Sequence, residues 1–278
     1  MLLILIVLAG CGNESVEEEF IFRERFLFQD LMPKGDSWTE IHPRCLDLWL
    51  SAEESVEEPV PSLEWPYKTA EGRYAYLTFD DGPSRNSHGI LDILADYGIP
   101  ATFFVLGEAV NGRSDSGEIL NRILEEGHYI GLHSMSHDFS RLYLEPDAHY
   151  NFYEEMRQVQ ELVYQLTGHL SYHCRAPFGT VPSFSQKHQE LIQESDFNCW
   201  DWHVDTRDWA FQTSAQVMGA IQENMAFHGY PSRVVVLMHE LDLTIAALPE
   251  VIHYFLDLGY TFLPFHPKNY FPVRLNDH

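Results

Sequence analysis

From residue 72 onward the chain alternates between short β-rich runs and amphipathic helical runs, which restricts it to folds in which βα units wrap a mostly parallel sheet. Strands are expected at residues 74–79, 101–105, 129–133, 171–175, 197–202, 233–238 and 260–263, and helices at 90–97, 118–126, 148–167, 185–194, 215–227 and 248–258. The longest helical run has the clearest period, with Phe152, Met156, Val159, Val163 and Leu166 on one stripe and charges opposite. Gly98, Gly127, Gly168 and Gly259 stand where such helices should stop. No glycine-rich nucleotide loop follows the first strand, so the expectation is a distorted, incomplete (β/α) barrel of about seven parallel strands rather than an open doubly wound sheet.

The two ends read differently. Residues 1–10 are almost wholly apolar, too short to cross a bilayer as a helix but the length of an export-signal core. They run into Leu8-Ala9-Gly10-Cys11, which resembles a bacterial lipoprotein signal and marks Cys11 for acylation. An incidental Cys after a buried strand is the plainer alternative, and no Lys or Arg precedes the run as a signal normally requires. Between residues 14 and 64 there are 14 acidic against 4 basic residues, the composition of a spacer. The apolar patches at residues 20–22, 26–28 and 46–50 point to partial order within it. The expected organisation is therefore a signal with its lipidated Cys at 1–11, an acidic spacer at 12–70, a catalytic domain at 71–268 and a tail at 269–278.

A formal net charge of -25 excludes nucleic acid as a partner, since binding to phosphate backbones rests on clustered Lys and Arg. A lipid anchor would place the domain on a membrane surface rather than across it. The four cysteines include no C-x-x-C pair, which rules out a zinc ribbon. Cys174 and Cys199 fall in consecutive strands, and either a disulfide or two buried thiols fits them.

The acids and histidines of the 72–267 region gather at strand ends. Asp80 and Asp81 follow the first strand, His133 and His137 the third, and Arg175 ends the fourth. Asp205 and Asp208 follow the fifth, and His239 the sixth. In a parallel barrel all of these lie on the C-terminal rim, where loops from different strands converge on one site. His133 and His137, four apart, can face the same way, and a carboxylate completes a three-ligand set with a position left open for water, the mark of a catalytic metal site. With 15 His in the chain this spacing alone is weak. Asp80-Asp81 says more, because two adjacent carboxylates repel unless one ligates a cation and its neighbour takes protons. An Asp-Gly-Pro turn would account for Gly82 and Pro83 but not for two acids.

On these residues the chain resembles the polysaccharide deacetylase family, carbohydrate esterase family four, also called the NodB-homology domain, over residues 72–267. Its five motifs match Thr78-Phe79-Asp80-Asp81-Gly82-Pro83, His133-Ser134-Met135-Ser136-His137, Arg175-Ala176-Pro177-Phe178-Gly179, Asp205-Thr206-Arg207-Asp208-Trp209 and Leu237-Met238-His239, in order. The resemblance implies that Asp81, His133 and His137 bind one divalent metal, usually zinc, with cobalt, nickel or manganese preferred in some relatives. It implies Asp80 as general base, His239 as general acid and the backbone N–H of Phe178 as an oxyanion donor. Arg175 would pair with Asp80 and keep it ionised, and Asp208 would hold His239 as a cation. In isolation Arg175 also reads as a rim salt bridge, and Asp208 as a helix N-cap. Trp209 and Leu237 look like the pocket wall and the seat of the acetyl methyl. Two positions depart from the family: Glu240 stands where Asp is usual, and Cys174 where an aromatic is.

The implied activity is removal of N-acetyl groups from an envelope polysaccharide, peptidoglycan N-acetylglucosamine foremost, by an extracytoplasmic, membrane-anchored monomer. Exopolysaccharide, chitin oligomers and acetylated xylan are alternative substrates of the same chemistry. A metal-dependent amidase acting on a non-sugar ring and a catalytically silent glycan-binding lipoprotein are the readings from other classes.

Overall fold

The structure is a computed structural model, and it describes residues 72–266. The signal, spacer and tail expected at 1–11, 12–70 and 269–278, with Cys11 and Cys45, lie outside the described residues. The strands are β1 (Arg73–Gly82), β2 (Thr102–Val105), β3 (Tyr129–Leu132), β4 (His173–Cys174), β5 (Asn198–Cys199), β6 (Val204–Asp205), β7 (Arg233–His239) and β8 (Tyr260–Phe262). The helices are α1 (Ser87–Tyr97), α2 (Gly107–Asn111), α3 (Ser116–Glu125), α4 (Ala148–Thr167), α5 (Gln186–Glu194), α6 (Ser214–Phe227) and α7 (Asp242–Asp257), with a π-helical turn at Ser140–Leu144.

Every strand pair is parallel, in the order β5-β4-β3-β2-β1-β7-β6. β1 is the centre: β7 pairs along Tyr74–Asp80, while on its other edge β8 takes Arg73–Ala75 and β2 takes Thr78–Gly82. Of the strand expected at 197–202 only β5 forms, and a further short strand, β6, follows it at the opposite end of this order. From Cys199 to Val204 the chain can reach at most about 18 Å, whereas end strands of a flat sheet of this width would stand roughly 29 Å apart. The sheet must therefore curl until its ends almost meet, and the missing ladder between β5 and β6 leaves the (β/α) barrel incomplete.

The two faces of β1 show how the core divides. Ala75, Leu77 and Phe79 join the cluster that α1, α3, α4, α6 and α7 cover, whereas Tyr76, Thr78 and Asp80 alternate onto the concave side. There Tyr76 meets Trp200 edge-on at 5.2 Å between ring centroids. Phe104 of β2 fills the same interior beside Gly131, where an added Cβ would come within 2.4 Å of its ring. The α4 stripe is buried at Phe152, Met156, Val159 and Val163, with Leu166 left exposed, and Gly168 stops the helix with a left-handed φ of 73°.

α7 begins at Asp242, six residues before the expected 248, because the helix runs through Pro249 to bury Thr244 and Ala247 along with Leu248, Val251, Ile252 and Phe255. α2 and the π-turn are too short to leave a period in the sequence. Cys174 and Cys199, register partners on β4 and β5, are free buried thiols. Among the described residues no helix is long and apolar enough to cross a membrane.

His128, just before β3, gives the fold an acid-sensitive point. Its Nδ1 accepts the Ala101 N–H at 3.0 Å, and burial pushes the imidazole down from 6.5 to about 4. A depressed histidine contributes stability above the unfolded value of 6.5 that is lost as pH falls towards 4. Denaturant unfolding at about pH 7.5 and about pH 5 should show wild type losing about 2 kcal/mol more than His128→Gln.

Candidate active site

In a regular strand Asp80 and Asp81 would point to opposite faces. The register of β1 against β2 jumps from Asp80↔Phe104 to Gly82↔Val105, leaving Asp81 as a bulge residue with φ 69°. The bulge turns both carboxylates toward the rim: Asp81 Oδ1 lies 3.4 Å and Asp80 Oδ2 3.7 Å from the same atom, His133 Nε2. His137 Nε2 is 3.5 Å from Asp81 Oδ1.

The tautomer of His133 follows from its other nitrogen, which lies 2.9 Å from the Arg175 carbonyl. A carbonyl can only accept, so Nδ1 carries the proton and donates, and Nε2 presents a lone pair. Burial holds this imidazole down at about 3 against the opposing pull of Asp81, so it is neutral at physiological pH. The donor atoms of Asp81, His133 and His137 all lie within 4.8 Å of one another, and Asp81 Oδ1 is buried without a hydrogen-bond partner. A carboxylate oxygen and imidazole nitrogens at this spacing fit a divalent transition metal.

Behind them Arg175 is fully buried, so it is not a rim salt bridge. Its Nη1 donates to Asp80 Oδ1 at 2.8 Å and to Thr78 Oγ1 at 2.6 Å, Nε to the Trp200 carbonyl at 2.9 Å and Nη2 to the Asp201 carbonyl at 3.2 Å. The guanidinium lies 4.1 Å over the Phe104 ring. Burial nevertheless raises the Asp80 pKa, with Arg175 the largest opposing influence. Arg175 thus acts in the direction expected of a partner that favours the ionised form, offsetting part of the desolvation that raises the Asp80 pKa.

Asp80 and His239 are register partners on β1 and β7. His239 Nδ1 donates to Asp208 Oδ1 at 2.8 Å, its backbone N–H to Oδ2 at 2.7 Å, and Thr244 Oγ1 adds a third bond at 2.6 Å. Asp208 is no helix cap, since α6 begins at Ser214 behind Thr213. Burial disfavours the His239 cation, but Asp208, Asp80 and Asp81 outweigh it and the pKa rises to about 9.

Phe178 is half exposed, with φ 64°, its ring 4.5 Å from His137. Its N–H makes no hydrogen bond among the described residues. Trp209 is 64% exposed, so it is not core, and Leu237 is buried on the face of β7 that it shares with His239. The structure also brings in groups that the motifs do not name. Glu155 is bonded to the 134–137 loop, Glu240 to Ser84 and Ser87, and Asp201 to Thr180. Asp201 alone is a single acid in an aromatic stretch, between Trp200 and Trp202; Glu155 sits beside Glu154 and Glu240 between His239 and Asp242, where sequence gives no mark of their role.

A family model described as polysaccharide deacetylase matches residues 67–198, which carry Asp80, Asp81, His133, His137, Arg175 and Phe178 but stop short of Asp208 and His239. A peptidoglycan-N-acetylglucosamine deacetylase of Bacillus cereus is 30% identical over 228 residues, covering 81% of this chain and 81% of that protein. The chain belongs to the polysaccharide deacetylase family. The chain is also 32% identical over 189 residues to the peptidoglycan-N-acetylglucosamine deacetylase PgdA of Listeria monocytogenes, a match covering 67% of this chain but only 37% of that longer protein. Among solved structures, the polysaccharide deacetylase Bc1974 from Bacillus cereus superposes with a TM-score of 0.65 at 30% identity, over 73% of this chain and 97% of that one.

The Asp208–His239 pair is directly measurable. In metal-free Asp208→Asn, histidine NMR titration should place His239 at least about two units below wild type, since the amide withdraws the charge that opposes desolvation.

Proposed function

We propose that this polysaccharide deacetylase is a metal-dependent hydrolase that removes N-acetyl groups from peptidoglycan N-acetylglucosamine outside the cytoplasmic membrane. The observation that carries this reading is the convergence of the Asp81, His133 and His137 donor atoms beside Asp80 and the Asp208-bound His239. The named substrate of the Bacillus cereus and Listeria relatives supports the choice of sugar. Export and acylation at Cys11 rest on the apolar run at residues 1–10 and the Leu8-Ala9-Gly10-Cys11 sequence.

Asp81, His133 and His137 would hold the cation, zinc in our reading and cobalt, nickel or manganese otherwise. A divalent cation held there supplies Lewis acidity, polarising the acetamide carbonyl and lowering the pKa of water. Asp80 takes the proton of the attacking water, for which its raised pKa suits it. As the water oxygen bonds to the acetyl carbon, negative charge builds on the former carbonyl oxygen, and the Phe178 N–H donates to it. His239, charged at neutral pH, passes its proton to the sugar nitrogen as the C–N bond breaks. Without that proton the amine is a very poor leaving group.

The test is acetate release from N-acetylglucosamine oligomers and from peptidoglycan, with zinc and after chelation. We expect zinc-dependent release that falls by at least about 100-fold in both Asp81→Ala and His239→Ala. Zinc uptake without acetate release from any acetylated glycan would instead favour the non-sugar amidase or the silent glycan-binding protein.

A further inference from the structure

Three residues separate the two metal-binding histidine candidates, and the backbone is strained at both ends of the step from Ser134 to His137. Ser134 and His137 both take a left-handed backbone, with φ 66° and 56°, which L-residues seldom adopt. Within the loop, Ser134 Oγ accepts the His137 N–H at 3.1 Å. That bond alone leaves the remaining backbone groups to be satisfied from outside.

They are satisfied from two sides. The first two N–H groups of α2 donate to the loop, Gly107 to the Ser134 carbonyl at 3.0 Å and Glu108 to the Met135 carbonyl at 2.9 Å. At Gly107 an added Cβ would sit 2.1 Å from Met135 Sδ, so only glycine allows this approach. From the other side, Glu155 reaches out of α4 between the buried Phe152 and Met156, itself 2% exposed. Its Oε2 accepts the Met135 N–H at 3.1 Å and the Ser136 N–H at 2.9 Å, and both carboxylate oxygens accept Ser136 Oγ. Arg141, in the π-turn, donates from Nε to Oε1 at 2.7 Å, and Met156 Sδ accepts the Ser134 N–H at 3.3 Å.

An acid on the apolar face of a helix is costly unless its bonds are filled, and the bonds of this one go to the loop and to the turn just after it. We propose that Glu155 is a positioning residue for the metal centre: by fixing the backbone of residues 134–136 it sets the spacing of the His133 and His137 imidazoles and thereby the affinity for the cation. The inference rests on the metal-dependent reading above, and it assigns Glu155 no contact with substrate or reacting atoms.

The experiment is zinc affinity of the whole chain, stripped of metal, by competition with a chromophoric chelator, alongside the melting temperature of each metal-free variant. Glu155→Ala orphans two N–H groups and should weaken zinc binding by about 10–100-fold, the range typical of groups that support metal ligands. Glu155→Gln keeps one oxygen for the N–H groups but loses the ion pair with Arg141, and about fivefold weakening is expected. Asp201→Asn is the control: it removes a buried carboxylate that holds the Thr180 N–H and hydroxyl, so it should lower the melting temperature yet leave zinc affinity unchanged. Zinc affinity within twofold of wild type in folded Glu155→Ala overturns the proposal. Should that variant not fold, Glu155→Gln decides on the same criterion. A wild-type chain that takes up no zinc, cobalt, nickel or manganese overturns the metal reading and this inference together, whereas normal wild-type binding with unaltered variants overturns this inference alone.

Discussion

The buried guanidinium of Arg175 is the interaction on which the rest of the site depends. Removing such a charge from water costs on the order of several kcal/mol unless its donors are filled, and here they are filled from two parts of the chain. Thr78 and Asp80 come from β1, and the Trp200 and Asp201 carbonyls from the stretch that crosses between the two ends of the sheet. The Phe104 ring of β2 covers its flat face. The Arg175 carbonyl meanwhile fixes the tautomer of His133. One residue thus ties the curl of the sheet to the acid Asp80 and to the presented lone pair of a metal-ligand candidate. Lysine could not replace it, since a point charge lacks the planar fork that meets these acceptors at once.

Around this fixed centre the rim is built from strained backbone held by buried acids. Among the described residues six non-glycine positions have positive φ, and five of them, Asp81, Ser134, His137, Phe178 and Arg207, lie in the motif loops. Each costs on the order of 1–3 kcal/mol and persists only where its surroundings over-determine it. Glu240 bonds Ser84 and Ser87 beyond the Asp81 bulge, Glu155 bonds the loop between the histidines, and Asp201 bonds Thr180 beside Phe178. Gly82 belongs to the same arrangement, because an added Cβ would collide with Glu240 Oε1.

The chemistry was more legible in the sequence than this support was. Asp80, Asp81, His133, His137, Asp208 and His239 could be read because polar residues at the ends of apolar strands have few bland explanations. The bulge at Asp81 gives a physical reason for the adjacent acids, yet a bulge leaves no periodic signature. Glu155 and Asp201 escaped because an acid at these positions disturbs neither the 3.6-residue stripe nor a strand alternation, and Glu240 was visible only as a departure from the family's Asp. The change of edge between β5 and β6 escaped for a related cause: residues 197–202 look like one continuous β run, and only the curl of the sheet ends it at Cys199 and sends Val204–Asp205 to the opposite edge. α7 begins before the expected 248 because burial of Thr244 and Ala247 outweighs the one backbone bond lost at Pro249.

Proton acceptor and proton donor are positioned differently from the metal-binding candidates. Asp80 and His239 are cross-strand partners in the β1–β7 ladder, which is in register over seven consecutive pairs from Tyr74↔Arg233 to Asp80↔His239. Their separation is therefore set by the longest strand ladder among the described residues. Asp81 and His137 instead sit on strained loops whose geometry depends on side-chain bonds. A ladder deforms only if many hydrogen bonds yield together, whereas a loop yields when one bond fails. A substitution at Glu155, which holds the loop between the histidines, should then perturb the cation site well before it alters the spacing of base and acid.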